Sequence, residues 1–120
     1  MIRLVLPWPP SENHYRRNVM INGSSRTLIS KRGREFQSIV CDRVRQQGSP
    51  KITGRLAVSI CAMPPDRRRR DLDNLLKAAC DSIQRAGVIR DDGDIDRLLI
   101  ERGDRVEGGR LVVFIEEITP

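Results

Sequence analysis

Residues 66–87 read DRRRRDLDNLLKAACDSIQRAG, so four consecutive arginines run directly into an amphipathic pattern. Its apolar residues recur at the spacing of one helix face: Leu72, Leu75, Leu76, Ala79, Ile83 and Ala86. Gly87 follows the last of them, as is typical of the residue after a helix C-terminus. The segment therefore predicts a loop that becomes a helix near Leu72 and packs its apolar stripe against a core.

The N-terminal half of the chain predicts one strand, one polar connection and one helix. Residues 2–6 are apolar and end at a PWPP sequence, which stops a strand. Residues 11–26 are polar and contain Asn22 and Gly23, so we expect either a hairpin that closes over a ligand or an ordinary surface loop. Ser30 is placed to cap a helix over residues 31–47, whose other face carries several arginines.

The remaining strand patterns complete the predicted fold. Residues 54–62 alternate well enough for a strand, residues 98–100 are an apolar run, and residues 110–118 predict a final strand. The order strand, loop, helix, strand, helix, strand, strand indicates an α+β fold. We expect one domain over residues 1–120, with two main helices packed on a small mixed β-sheet.

The composition indicates an anionic partner. The net charge is +6, and 19 of the 22 basic residues are arginine. Arginine forms planar, two-pronged hydrogen bonds to phosphate, although a GC-rich genome also raises arginine content. Only four residues are aromatic, too few for the stacking platforms of single-strand binders. If the partner is nucleic acid, we therefore expect a duplex or branched structure held by its backbone.

The residue supply excludes several other classes of protein. Three widely spaced cysteines and one histidine fit neither a zinc site nor a histidine-based catalytic triad. The chain has no phosphate-binding loop and no nucleophile-elbow motif. It also has no apolar stretch long enough to span a membrane and no signal-peptide pattern, so we expect no membrane partner and a cytoplasmic location.

Asp71 and Asp73 lie at the predicted loop–helix junction. Inside an ideal helix they would be roughly 200° apart, but at a junction both carboxylates can converge on one hard cation such as Mg²⁺. Lys77 lies one turn after Asp73 on the same helical face and can reach the same phosphate. The alternative is structural: Asp71 caps the helix and Asp73 pairs with an arginine.

A second acidic cluster follows in the DDGDID sequence of residues 91–96. A metal site needs about three oxygen ligands from separate segments, and this cluster is the other source of carboxylates. An EF-hand loop is excluded, because counting from Asp92 places Arg97 where glycine is required and Gly103 where glutamate is required. A plain polar turn is the alternative.

At this point the sequence resembles a known family. The segment DRRRRDLDNL-x-KA with its later DD pair, the opening LPWPPS-x-N and the closing GGRL are similar to the RusA family of Holliday junction resolvases. The likeness covers essentially the whole chain. It implies a homodimeric, Mg²⁺- or Mn²⁺-dependent endonuclease that nicks two opposed strands of a four-way DNA junction in recombination and repair in bacteria and their phages.

The resemblance also implies roles for particular residues. Asp71, Asp73 and Asp92 would be the essential metal-binding carboxylates and Lys77 the basic catalytic partner, with Asp91 a weaker candidate. Cys80 departs from the family, in which we expect an aromatic residue at this position. The residues that we expect to contact DNA are Arg16, Arg17, Arg67, Arg68, Arg69, Arg70 and Lys77.

Two other functions fit the same residues. The first is a non-catalytic basic protein that binds branched or duplex DNA, with its aspartates acting only as helix caps and arginine partners. The second is a small interaction protein whose arginines meet an acidic protein surface. The first predicts DNA binding that does not depend on Mg²⁺, and the second predicts weak DNA binding that ignores structure.

Overall fold

The computed structural model describes residues 1–119, which form six strands and three α-helices. In chain order they are β1 (Ile2–Pro7), α1 (Glu12–Tyr15), β2 (Arg16–Ile21), β3 (Ser24–Ile29), α2 (Lys31–Gln46), β4 (Leu56–Met63), α3 (Leu76–Arg85), β5 (Ile95–Arg102) and β6 (Arg110–Glu117). Two short 3-10 turns, Leu72–Leu75 and Asp92–Asp94, come directly before α3 and β5. None of the helices within residues 1–119 has the length and apolar character needed to cross a membrane.

Four strands form one mixed sheet in the order β1-β6-β4-β5. Strand β6 pairs antiparallel with both β1 and β4, whereas β4 pairs parallel with β5. A parallel pair needs a long crossover connection, and here that connection contains α3. The same crossover carries the arginine run, which follows the C-terminal end of β4, and the second acidic cluster, which precedes the N-terminal end of β5 at the opposite end of this parallel pair.

The core lies between the sheet and the two longer helices. From α2 it receives Phe36, Val40 and Val44, and from α3 it receives Ala79 and Ile83, each 4% exposed or less. Each larger apolar side chain buried in this way stabilises the fold by roughly 1.5–3 kcal/mol before entropy is counted. The prediction of an α+β fold with two main helices on a small mixed sheet is confirmed.

Helix α2 begins where its sequence signals place it. The Ser30 side-chain oxygen accepts a hydrogen bond from the Gly33 amide at 3.0 Å, as expected of a helix cap. Gly33 is buried, and a side chain there would meet the Tyr15 carbonyl oxygen at 2.5 Å. The start of α2 is therefore held closely against the end of α1.

Residues 11–26 are more ordered than a plain loop. They contain α1, β2 and the start of β3, and β2 pairs with β3 as a separate two-stranded hairpin. Its turn residues Asn22 and Gly23 have φ values of 51° and 79°, the positive values that a tight hairpin turn requires. The hairpin itself is thus observed, and its closing over a ligand stays a prediction. Most of its side chains are exposed, and for that reason no clear apolar alternation marked its strands in the sequence.

Candidate active site and nucleic-acid interface

The junction before α3 forms as the sequence predicts. Asp71 has extended backbone angles (φ −87°, ψ 133°), and the chain turns helical at Leu72. The buried Leu75 anchors the turn in the core. The side chain of Asp71 makes no capping hydrogen bond, and within residues 1–119 Asp73 forms no ion pair with an arginine. The structural alternative for these two carboxylates is therefore not supported, since both are exposed and uncommitted.

Asp73, Lys77 and Asp92 line one open cleft of about 570 Å³. The Lys77 ammonium lies 3.7 Å from the Asp92 carboxylate. The acidic turn before β5 therefore lies against the start of α3. A metal site built from both acidic clusters needs this proximity, but the sequence alone does not reveal it. We call this the acidic cleft, and its further polar lining consists of Glu12, Arg16, Asn74 and Asp96.

Asp71 lies in a different cleft. It lines an adjoining depression together with Trp8, Arg69 and Arg70, while Asn74 lines both depressions. Accordingly, within residues 1–119 no three carboxylate, histidine or cysteine side chains are grouped closely enough to hold a metal ion. Of the three predicted metal ligands, Asp73 and Asp92 therefore line the same cleft, and Asp71 lines the adjoining depression.

The acidic cleft carries negative charge in a protein that is basic overall. Four carboxylates line it (Glu12, Asp73, Asp92 and Asp96), against two cations (Arg16 and Lys77). Burial, and after it the charge of the nearby Asp92 carboxylate, raises the pKa of the Cys80 thiol to about 11. Oxygen donors under a local excess of negative charge suit a hard divalent cation. The oxygen donors of the cleft are therefore of the type that Mg²⁺ and Mn²⁺ prefer, although within residues 1–119 they do not form a group of three ligands.

The acidic turn divides its carboxylates between structure and cleft. Asp91 accepts a hydrogen bond at 2.9 Å from the amide two residues later, and this bond is the main reason that its pKa is lowered. Asp94 is buried and bound by Arg90 at 2.9 Å and 3.2 Å. By contrast, the Asp92 carboxylate contacts Lys77 in the cleft. The two neighbouring carboxylates therefore have different contacts: Asp91 binds its own turn, and Asp92 faces Lys77 in the cleft. Residue type alone does not distinguish them.

Sequence reasoning missed one carboxylate beside the cleft. Asp81 lies one turn after Lys77 on α3, and its carboxylate is 3.2 Å from the Lys77 ammonium. It also accepts a hydrogen bond from the hydroxyl of the buried Tyr15 at 3.3 Å. The four-residue spacing from Lys77 was a signal in the sequence, whereas the contact with Tyr15 arises only in the folded chain.

The four consecutive arginines do different things. Arg70 binds both oxygens of the Asp66 carboxylate at 2.6 Å and 3.0 Å, and it lies 5.6 Å from the centre of the Trp8 ring. Arg68 also binds Asp66 through its amide and its side chain. These bonds hold the pKa of Asp66 well below its usual range, Arg70 contributing most. The loop is therefore braced by its own charges.

Arg67 and Arg69 are exposed, and within the described part of the chain neither forms an ion pair. They are accordingly the members of the run that are available for phosphate. Together with neighbouring arginines they line two depressions around Trp8, which we call the basic surface: Arg32, Arg67, Arg68, Arg69, Arg70, Arg102 and Arg105. This surface adjoins the acidic cleft through the depression that contains Asp71.

The hairpin separates the two predicted DNA-binding arginines at its base. Because successive side chains of a strand point to opposite faces, Arg16 and Arg17 cannot act together. Arg16 is half-buried, 3.4 Å from Glu12 and 3.6 Å from Asp81. Arg17 is exposed, and the strand register puts it on the same face as Arg26. Arg17 is therefore free for a ligand, whereas Arg16 ties the hairpin to the body.

Comparison with known proteins agrees with this chemistry. The family described as Endodeoxyribonuclease RusA matches residues 7–116. The crossover junction endodeoxyribonuclease rusA of Enterobacteria phage HK97 is 40% identical over 117 residues, which cover 97% of this chain and 94% of that protein. The crossover junction endodeoxyribonuclease RusA of Escherichia coli strain K12 is 38% identical over 118 residues, covering 96% and 93%. The resemblance carried by the arginine–aspartate segment is confirmed, and the chain belongs to the RusA family of endodeoxyribonucleases.

Proposed function

We propose that this chain is a metal-dependent endodeoxyribonuclease that resolves four-way DNA junctions by paired symmetric nicks. The observation that carries the proposal is the acidic cleft itself, where Asp73 and Lys77 from the start of the α3 segment line one cleft with Asp92 from the turn before β5. The basic surface lies beside it, so a DNA backbone held by arginines would pass close to the carboxylates. The names of the bacterial and phage relatives support the choice of a DNA crossover junction as the substrate.

The chemistry divides among the residues by charge. Asp73 and Asp92, with Asp71 from the adjoining depression, would hold Mg²⁺ or Mn²⁺. A divalent ion held there would supply Lewis-acid chemistry, polarising the scissile phosphate and lowering the pKa of the attacking water. Lys77 places a positive charge in the same cleft, where it orients the phosphate and offsets charge that develops during cleavage.

The arginines hold the flanking backbone. Arg67, Arg69 and Arg17 are exposed and form no ion pair within residues 1–119, so their guanidinium groups can bind phosphate oxygens in pairs. Arg68 and Arg70 contribute charge while bracing the loop through Asp66. Such contacts make the affinity strongly dependent on salt and nearly independent of DNA sequence.

Two active sites are needed for two opposed nicks, so we extend the proposal to a homodimer that acts in the bacterial cytoplasm. A two-fold axis would present two identical clefts to the symmetric junction. In support, β5 is an edge strand of the sheet within residues 1–119. The unpaired backbone groups of an edge strand are a surface that a second subunit could pair with. Sedimentation equilibrium measures the subunit number directly.

The test of the proposed function is cleavage of a synthetic four-way junction beside a matched linear duplex, each with Mg²⁺, Mn²⁺ or EDTA. We expect symmetric paired nicks in the junction only, and only when a metal is present. Tight junction binding without any cut in either metal would instead identify a non-catalytic DNA-binding protein. Weak binding that does not distinguish the two DNAs would favour an acidic protein partner.

A further inference from the structure

Asp81 stands at the centre of a charge and hydrogen-bond network behind the acidic cleft. Its carboxylate oxygens lie 3.2 Å from the Lys77 ammonium and 3.6 Å from the Arg16 guanidinium. The Lys77 ammonium in turn lies 3.7 Å from Asp92. Lys77 is therefore held between two carboxylates, one behind the cleft and one in it.

Asp81 is itself fixed from the core. The fully buried Tyr15 directs its hydroxyl at Asp81 over 3.3 Å, and the Gln37 side-chain amide donates to the same hydroxyl oxygen at 2.7 Å. Because Gln37 occupies the oxygen as a donor, the hydroxyl hydrogen of Tyr15 is left for Asp81. Burial raises the pKa of Tyr15, which keeps this hydroxyl protonated and able to donate.

The Lys77–Asp81 pair has more support from the core than an ion pair that only stabilises a helix. An exposed pair one turn apart on a helix stabilises it by only about 0.3–0.5 kcal/mol, and such a pair needs no support from the core. Here a buried aromatic hydroxyl from α1 donates to the carboxylate, and a buried amide from α2 donates to that hydroxyl and fixes its orientation. The lysine side chain is a flexible four-carbon chain, so without a restraint its ammonium would sample many positions across the cleft.

We propose that Asp81, held by Tyr15 and Gln37, is a positioning residue that restrains the Lys77 ammonium toward Asp92 and the scissile phosphate. This inference rests on the proposed function, in which Lys77 acts on the phosphate. Asp81 does not itself touch the DNA. It acts through Lys77 by limiting where the positive charge can lie.

The test is single-turnover cleavage of the junction by six purified proteins: wild type, Asp81→Asn, Asp81→Glu, Tyr15→Phe, Lys77→Met and the double variant Lys77→Met/Asp81→Asn. We expect Asp81→Asn to slow cleavage roughly tenfold, the low end for losing a hydrogen bond between charged groups, with an unchanged Kd for the junction. Asp81→Glu should recover part of the rate, and Tyr15→Phe should give a smaller loss of the same kind. In the Lys77→Met background, Asp81→Asn should not lower the cleavage rate any further.

Three results would overturn the positioning role while leaving the proposed function intact. They are a wild-type rate in Asp81→Asn, an independent additional loss in the Lys77→Met background, and a loss explained wholly by weaker junction binding or a lower Tm. A wild-type protein that leaves the junction uncut would overturn both proposals together. The wild-type lane of the same gel therefore separates the two failures.

Discussion

Replacing Asp73 with asparagine tests whether cleavage needs the negative charge of this side chain, because the substitution leaves the shape of the acidic cleft nearly unchanged. Asp73 is exposed in the turn before α3 and forms no ion pair within residues 1–119, so the variant should lose less than about 0.5 kcal/mol of stability. The amide keeps the volume and removes the charge. Cleavage should fall at least a hundredfold, because even residues that only support a metal ligand typically cost about 10–100-fold when removed.

Junction binding should survive and even improve slightly in this variant. A carboxylate roughly 6 Å from a phosphate in water repels it by about 0.7 kcal/mol, so removing the charge should tighten Kd by about threefold. Cleavage is measured on a labelled junction in Mg²⁺, and Kd is measured on the same junction in EDTA, where no cation screens the carboxylate.

The matched control is Asp96→Asn, which removes the same charge from the same cleft. Asp96 is already bound by Arg55, with one bond of 2.9 Å, and this partner lowers its pKa. We therefore expect only a small change in rate. Equal losses in the two variants, or a lost junction affinity in Asp73→Asn, would refute the assignment of Asp73 as a metal ligand.

Three further predictions follow from single contacts. Arg17→Gln should lower the slope of log affinity against log salt by about one, while Arg16→Gln should lower Tm and leave the slope unchanged, as salt titrations and thermal melts will show. Asp66 has a lowered pKa, so its contribution to stability is present above about pH 4 and is lost as pH falls; Asp66→Asn should therefore destabilise the protein in urea at pH 7 but not in strong acid. Gly33→Ala should destabilise by about 1–3 kcal/mol despite a better helix propensity, because the new methyl would meet the Tyr15 carbonyl oxygen at 2.5 Å; an unchanged denaturant midpoint would show that the helix shifts freely.

Local signals in the sequence determined most of the secondary structure. The Ser30 cap, the turn at Asn22 and Gly23, and the junction at Leu72 each depend on a few adjacent residues, and each appears where it was predicted. The α+β fold followed from the order of the elements. The family followed from the long arginine–aspartate segment, which is specific enough to be recognised without any structure.

Only the tertiary structure decided how the charged side chains divide their work. Asp91 and Asp92 are identical in kind and adjacent in sequence, yet one caps a turn and the other meets Lys77. Likewise Arg70 is occupied by Asp66, while Arg69 is exposed. Adjacent residues on a turn or strand point in different directions, so one can meet a local partner, as Arg70 meets Asp66, while its neighbour meets another element or solvent.

The same reason explains what sequence reasoning missed and what it left as prediction. The role proposed for Asp81 depends on its hydrogen bond with Tyr15, which is 66 residues away in sequence. The packing of α1 against α2 and α3 brings the two side chains together. Asp71 and Asp73 are two residues apart at the predicted junction, yet they line different depressions, so the junction by itself does not bring both carboxylates into one cleft. The sequence by itself determined which residues were available for chemistry, through periodicity and composition. The tertiary structure decided which of them share a cleft, because distances between side chains from separate segments exist only after the core has packed.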